Sequence, residues 1–187
     1  MSADLSKIDP FKQDLENFIA ENELSREHIF NADETGLLWR SLPSRSLCHG
    51  GETEAKNFKK AKDRVSLMAC ANATGTCKLP LVLIHTAKKP RCFAHMNMDQ
   101  LPLSYCHQKN SWMDSAIFEV WFHEKFVPGV KAFCQKAQIP YKGLLLIDNA
   151  PSHPATSKLE SRDGKVTTIF LPPNTTSVIH PRDQGVL

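Results

Sequence analysis

Residues Lys142 to Pro154 read KGLLLIDNAPSHP, and the interpretation of the rest of the chain follows from this stretch. Leu144, Leu145, Leu146 and Ile147 form a short uninterrupted apolar run, the pattern of a strand buried on both faces. The run stops at Asp148, so the strand delivers a carboxylate to its own C-terminal end. Asn149, Pro151, Ser152 and Pro154 then supply turn chemistry, which predicts that Asp148 stands at a lip open to solvent, metal or substrate. An aspartate that merely starts a turn would use the same residues, so the choice rests on what else the chain offers.

Two further acidic motifs flank it. Ile29 to Trp39 reads IFNADETGLLW, where apolar residues on both sides of Asn31 to Gly36 predict a strand interrupted or closed by a turn, with Asp33 and Glu34 near its middle. Near the other end, Val166 to Phe170 is β-branched and predicts a strand, followed by LPPNTTSVIHPRDQGVL. Pro172 and Pro173 end that strand, and Pro181 suits the first turn of a helix carrying Asp183.

The remaining elements complete an α/β pattern. Asp9 and Pro10 start a helix whose apolar residues Phe11, Leu15, Phe18 and Ile19 share one face, ending near Asn22. Val65 to Cys70 and Leu79 to Ile84 read as two strands joined by a hairpin turn at Asn72, Thr74 and Gly75. Thr86 to Gln108 has little periodicity and contains a basic surface loop, Lys88 to Arg91. Ser111 and Asp114 resemble a helix start, and the long helix that follows should kink or split at Pro128 and Gly129. The expected architecture is a mixed five-stranded sheet with flanking helices. Residues 1–28 form a helical lead-in and residues 29–187 the main domain.

Composition bounds the function. Hydrophobic content of 41% over 187 residues is enough for one domain with a sizeable core. No apolar run approaches the length that crosses a bilayer, which argues against a membrane protein. The six cysteines show neither a CxxC pair nor a zinc-finger spacing and read as reduced thiols of an intracellular protein. His85, His95 and His107 near Cys92 and Cys106 fit no standard zinc site. Charge is uneven: residues 1–55 carry 5 Lys/Arg against 11 Asp/Glu, whereas residues 56–187 carry 18 against 9. The surplus concentrates in Lys56 to Arg91, with nine basic residues opposed only by Asp63, a distribution compatible with phosphate contacts.

Asp33, Asp148 and Asp183 lie far apart in sequence and can converge only if the first and fourth expected strands are neighbours. Once together, three carboxylates make a hard, oxygen-rich site suited to Mg²⁺ or Mn²⁺. Two metals so held activate a water or a 3′-hydroxyl and stabilise the leaving oxygen in phosphodiester displacement. Glu34 reads as a neighbour of the site, Asn149 as a brace, and His153 as a structural turn histidine that could also hydrogen-bond the site or a phosphate.

NADETGLLW, LLIDNAPSHP and LPPNTTSVIHPRDQG resemble the three signature blocks of the DDE superfamily endonuclease domain of pogo and Tigger transposases and of host proteins derived from them, jerky and centromere protein B relatives among them. SREHIFNADETG, DRVSLMACANATG and the KKPRCF segment extend the resemblance over nearly the whole chain. It implies a ribonuclease H-like fold, with Asp33, Asp148 and Asp183 matching the family's catalytic, metal-binding triad. It also implies DNA as partner, the nucleus as location and room for a homo-oligomer. Family members usually carry N-terminal helix-turn-helix modules and continue past the third motif, so the chain reads as a core truncated at its C-terminus. Where the family usually has Gln and Met, this chain has His180 and Arg182. Three readings follow: an active metal-dependent strand-cleaving and joining domain, a domesticated, catalytically silent DNA- or chromatin-associated protein, or a structural domain that binds no nucleic acid, which the Lys56 to Arg91 surplus disfavours.

Overall fold

The computed structural model describes residues 5–39 and 63–181. Helix α1 (Ile8–Glu21) leads through a 3-10 turn at Arg26–His28 into β1 (Ile29–Leu38). Its predicted apolar stripe is half-buried, with Ile8 the buried residue. Strands β2 (Arg64–Asn72), β3 (Leu81–His85) and β4 (Leu103–His107) follow. Next come helices α2 (Ser115–Trp121) and α3 (Val127–Ala137), then β5 (Gly143–Ile147), β6 (Val166–Phe170) and the short helix α4 (Thr176–Ile179).

The six strands form one sheet in the order β4-β3-β2-β1-β5-β6. The β1–β2 and β2–β3 pairs are antiparallel, and β3–β4, β1–β5 and β5–β6 are parallel. The hairpin at Asn72–Cys77 is as expected, with Gly75 at φ 72°. The Glu27 carboxylate accepts from Thr74, Thr76 and Asn72, which ties that turn to the entry of β1.

Three details differ from expectation. The sheet has a sixth strand, β4, inside the segment read as aperiodic. Its five residues are paired along one edge only and half-buried, so they carry no clean alternation. Strand β1 is not broken at Asn31–Gly36, because β2 pairs with it from Phe30–Asn72 to Leu38–Arg64. Gly36 lets the Arg64 side chain lie close, a Cβ there meeting Arg64 Cδ at 3.1 Å. Lastly, the irregularity in the long helix falls before Pro128. A π-helical turn at Phe122–Phe126 joins α2 to α3, absorbing the missing proline N–H and the clash with the carbonyl four residues back. Asp114 is the N-cap, accepting from the Ile117 N–H at 3.0 Å.

One face of the sheet carries the core. Phe30, Ala32, Met68, Val82, Ile84, Leu145 and Ile147 pack against Phe118, Trp121, Phe122, Phe126 and Val130 of the helical layer. All five residues of β5 are buried, as the uninterrupted apolar run requires. Gly143 admits α3 closely, since a Cβ there would sit 3.0 Å from Val130 Cγ1. Phe30 is the centre of this contact, edge-on to Phe126 at 5.4 Å and to Phe133 at 6.4 Å. Phe30→Ala should therefore cost about 3–5 kcal/mol of unfolding free energy, read as a lower urea midpoint at unchanged m.

Candidate metal centre

Strand pairing places the first two acids. Along the parallel β1–β5 ladder, Ile29 pairs with Leu144, Phe30 with Leu145 and Asn31 with Leu146, a constant offset of 115 positions. Asp33 and Asp148 differ by the same 115, so the register continued two residues further brings Asp148 level with Asp33. The first and fourth expected strands are thus neighbours, and the two carboxylates stand at one end of the sheet. The β2 partners of Asn31 and Asp33 are Ala71 and Ala69, which add neither bulk nor charge beside them. Asp183, the third expected acid, and Arg182 lie outside the described residues.

Each carboxylate has a histidine beside it. Asp33 Oδ1 accepts from the Glu34 N–H at 2.8 Å, and Asp33 Oδ2 lies 3.5 Å from Nδ1 of the fully buried His180. Asp148 Oδ1 accepts from the Ala150 N–H at 3.3 Å and lies 3.1 Å from His153 Nδ1, which is also 2.9 Å from the Asp148 carbonyl. On its other side, His153 Nε2 is 3.5 Å from Glu34 Oε1. The His153 ring lies between Phe118, at 4.5 Å, and Phe170, at 6.4 Å. Glu34 therefore faces His153 on the helical side, whereas Asp33 faces His180 on the opposite side.

The electrostatics follow from these contacts. Burial pushes His153 down, but its hydrogen bonds to Asp148 and Glu34 and the charge of Glu34 outweigh that and raise it from 6.5 to about 10. Burial pushes Asp148 up, yet the hydrogen bond and charge of His153 hold its carboxyl below the ordinary aspartate value. The turn histidine of the sequence reading is thus an imidazolium clamped between two carboxylates and two aromatic rings.

Asp33 and Asp148 are partly exposed, and Asp148 Oδ2 makes no hydrogen bond among the described residues. Two partly exposed aspartate side chains at one end of the sheet suit a hard divalent cation. Among the described residues no group of three or more Asp, Glu, His or Cys is placed to hold a metal ion. His85 Nδ1 accepts from the Ala87 N–H. Sequence reading did not find Asn31 as part of the site. Its signal was available, because residue i−2 of a strand shares the face of Asp33. His180 drew attention only as a departure from the family pattern.

Fold and site together define a ribonuclease H-like α/β domain. A paired-end complex of the Mos1 transposase superposes with a TM-score of 0.54 at 13% identity, covering 98% of this chain and 47% of that one. A second Mos1 mariner paired-end complex, with Mn, gives 0.54 at 14%. The chain belongs to the DDE superfamily endonuclease family, whose sequence profile matches residues 62–187. It is 38% identical to the human Jerky protein homolog over 99% of its length and 34% identical to human Tigger transposable element-derived protein 7 over all of it. The chain spans 32% and 35% of those relatives, about a third of each.

The raised value of His153 sets a pH dependence. Its stabilisation is complete below the ordinary 6.5 and is lost as pH rises toward about 10, because over that range the unfolded chain releases the proton that the folded chain keeps. The melting temperature should fall between pH 7 and 10 more steeply for the wild type than for His153→Gln, as checked by thermal unfolding across that range.

Proposed function

We propose that this chain is a transposase-derived DDE domain that engages DNA and holds Mg²⁺ or Mn²⁺ between Asp33, Asp148 and Asp183 for phosphodiester cleavage and strand transfer. Residues 29–187 are the catalytic-type domain behind the helical lead-in 1–28, and the working compartment is the nucleus. The observation that carries this reading is the β1–β5 register, which sets two acids 115 positions apart side by side. A divalent ion bound there supplies Lewis-acid activation of the attacking oxygen and stabilisation of the leaving one. The chain's own residues hold Asp148 ionised through His153 and fix Asp33 Oδ1 on the Glu34 N–H.

The topology also supports DNA as the substrate. Strand β3 runs in the same direction as β1, since each is antiparallel to β2. Its C-terminal end therefore lies at the same end of the sheet as the acids. The exposed Lys88, Lys89 and Arg91 leave from there, two strands away from Asp33. Arg64, paired with Leu38 at that end, stacks 3.5 Å over the exposed Trp112 ring. Cations and an aromatic face beside a carboxylate pair suit a phosphate backbone brought to a metal. The similar Mos1 structures are complexes with a transposon end and with Mn.

One observation favours a silent domain: the imidazolium of His153, tied to Asp148 and Glu34, cancels part of the negative charge that a cation would meet. Calorimetry with Mg²⁺ and Mn²⁺ tests the site. Asp33→Asn and Asp148→Asn should each weaken binding at least about tenfold, while Glu34→Gln, which faces away, should do far less. Metal-dependent nicking of supercoiled plasmid then selects the active reading, and metal binding without nicking selects the silent one.

A separate measurement tests the DNA surface. The triple change Lys88→Glu, Lys89→Glu, Arg91→Glu should weaken duplex binding for all sequences. It should also flatten the dependence of log K on log salt by about 0.9 for each phosphate that the variant no longer neutralises.

A further inference from the structure

We propose that His180 is the positioning residue of the first carboxylate, and that it connects the segment after β6 to both β1 and β5. This inference rests on the reading of Asp33 as a metal-holding residue. Asn31 Nδ2 donates to the Leu146 carbonyl on β5 at 2.8 Å, and the same nitrogen lies 3.2 Å from His180 Nε2. Turning the Asn31 amide over would set its oxygen against the Leu146 carbonyl, two acceptors facing each other, so Nδ2 must point as it does. Its second hydrogen is then directed at His180 Nε2, which must accept. The His180 proton is thereby assigned to Nδ1.

Among the described residues that buried Nδ1 has no hydrogen-bond partner, and Asp33 Oδ2 lies 3.5 Å from it. This separation is longer than an ordinary hydrogen bond, so the proposed bond requires Asp33 Oδ2 to turn toward Nδ1. Asp33 then accepts at both oxygens, from the Glu34 N–H at Oδ1 and from His180 at Oδ2. A carboxylate fixed at both oxygens presents its remaining lone pairs in one direction, as groups behind a metal ligand generally arrange. The relay from Leu146 through Asn31 and His180 to Asp33 draws on β5, β1 and the segment after β6. It is independent of the clamp that His153 makes on Asp148.

Substitution separates the two ring nitrogens. His180→Asn keeps a donor at the position of Nδ1, whereas His180→Gln keeps a polar group only at the position of Nε2. Mn²⁺ affinity, followed by EPR on the full chain, should fall about tenfold or more in His180→Gln and stay within about threefold of wild type in His180→Asn. Equal loss in both variants, or a lower melting temperature with unchanged affinity, would reduce His180 to a packing role and overturn the proposal.

Nitrogen hyperfine coupling to bound Mn²⁺ that disappears in His180→Gln would place the imidazole on the metal itself and overturn it too. Mn²⁺ affinity unchanged in Asp33→Asn would instead sink the underlying carboxylate reading. Independently of any metal, long-range ¹H–¹⁵N correlation on the apo protein should show His180 as the neutral Nδ1–H form. The Nε2–H form would reject the relay outright.

Discussion

The parallel pairing of β1 with β5 is the contact on which both the core and the candidate site depend. In one register it puts Phe30 and Ala32 beside Leu145 and Ile147 on the helical face, and Asp33 level with Asp148 at the sheet's end. Side chains alternate along a strand, so slipping β1 by one residue would turn Phe30 out of the core and Asn31 into it. The same slip would move Asp33 to the face now held by Glu34. The apolar residues therefore position the acids: burying Phe30 against Phe126 and Phe133 selects the register, and the register aligns the carboxylates. Function and stability are coupled here through the backbone ladder rather than through any direct contact.

The site is assembled from both sides of this ladder. On the helical side, His153 is wedged between Phe118 and Phe170 and carries its charge between Asp148 and Glu34. A charge in such surroundings is costly unless paired, and two carboxylates with a ring face against the imidazolium supply the pairing. On the opposite side, Asn31 joins the Leu146 carbonyl to His180, whose ring lies beside Asp33. One histidine tunes its aspartate electrostatically, and the other lies 3.5 Å from its aspartate with a relay through Asn31 behind it. Strand ends at this edge also bring in the basic loop and the Arg64–Trp112 stack, so basic side chains and the carboxylates lie toward one end of the sheet.

Much of the architecture was legible because its signals are local. The all-apolar Leu144 to Ile147 could only be a doubly buried strand. Gly75 marked a hairpin, and Asp114 marked a helix start with its side chain on the Ile117 N–H. Strand β4 escaped because an edge strand paired on one side needs no alternating pattern. The π-helical turn escaped because its cause, Pro128, acts on the carbonyl a full turn earlier, and the helix adjusts there rather than at the proline. The unbroken β1 was misread because Asn31 to Gly36 has turn-forming residues. A long partner strand overrides that local preference by satisfying every second backbone group along its length.

The three acidic motifs, their order and their family resemblance were determined by sequence alone, because a carboxylate after a buried strand and the blocks around it are patterns of adjacent residues. The partnership of Asp33 with Asp148 was decided by tertiary structure, since a register between strands 115 positions apart is a long-range choice made by core packing. So were the assignment of Glu34 to the far face and the roles of the two histidines. A histidine's proton depends on which acceptors and donors surround it after folding, and Glu34 beside His153, like Asn31 and Asp33 beside His180, comes from a distant segment.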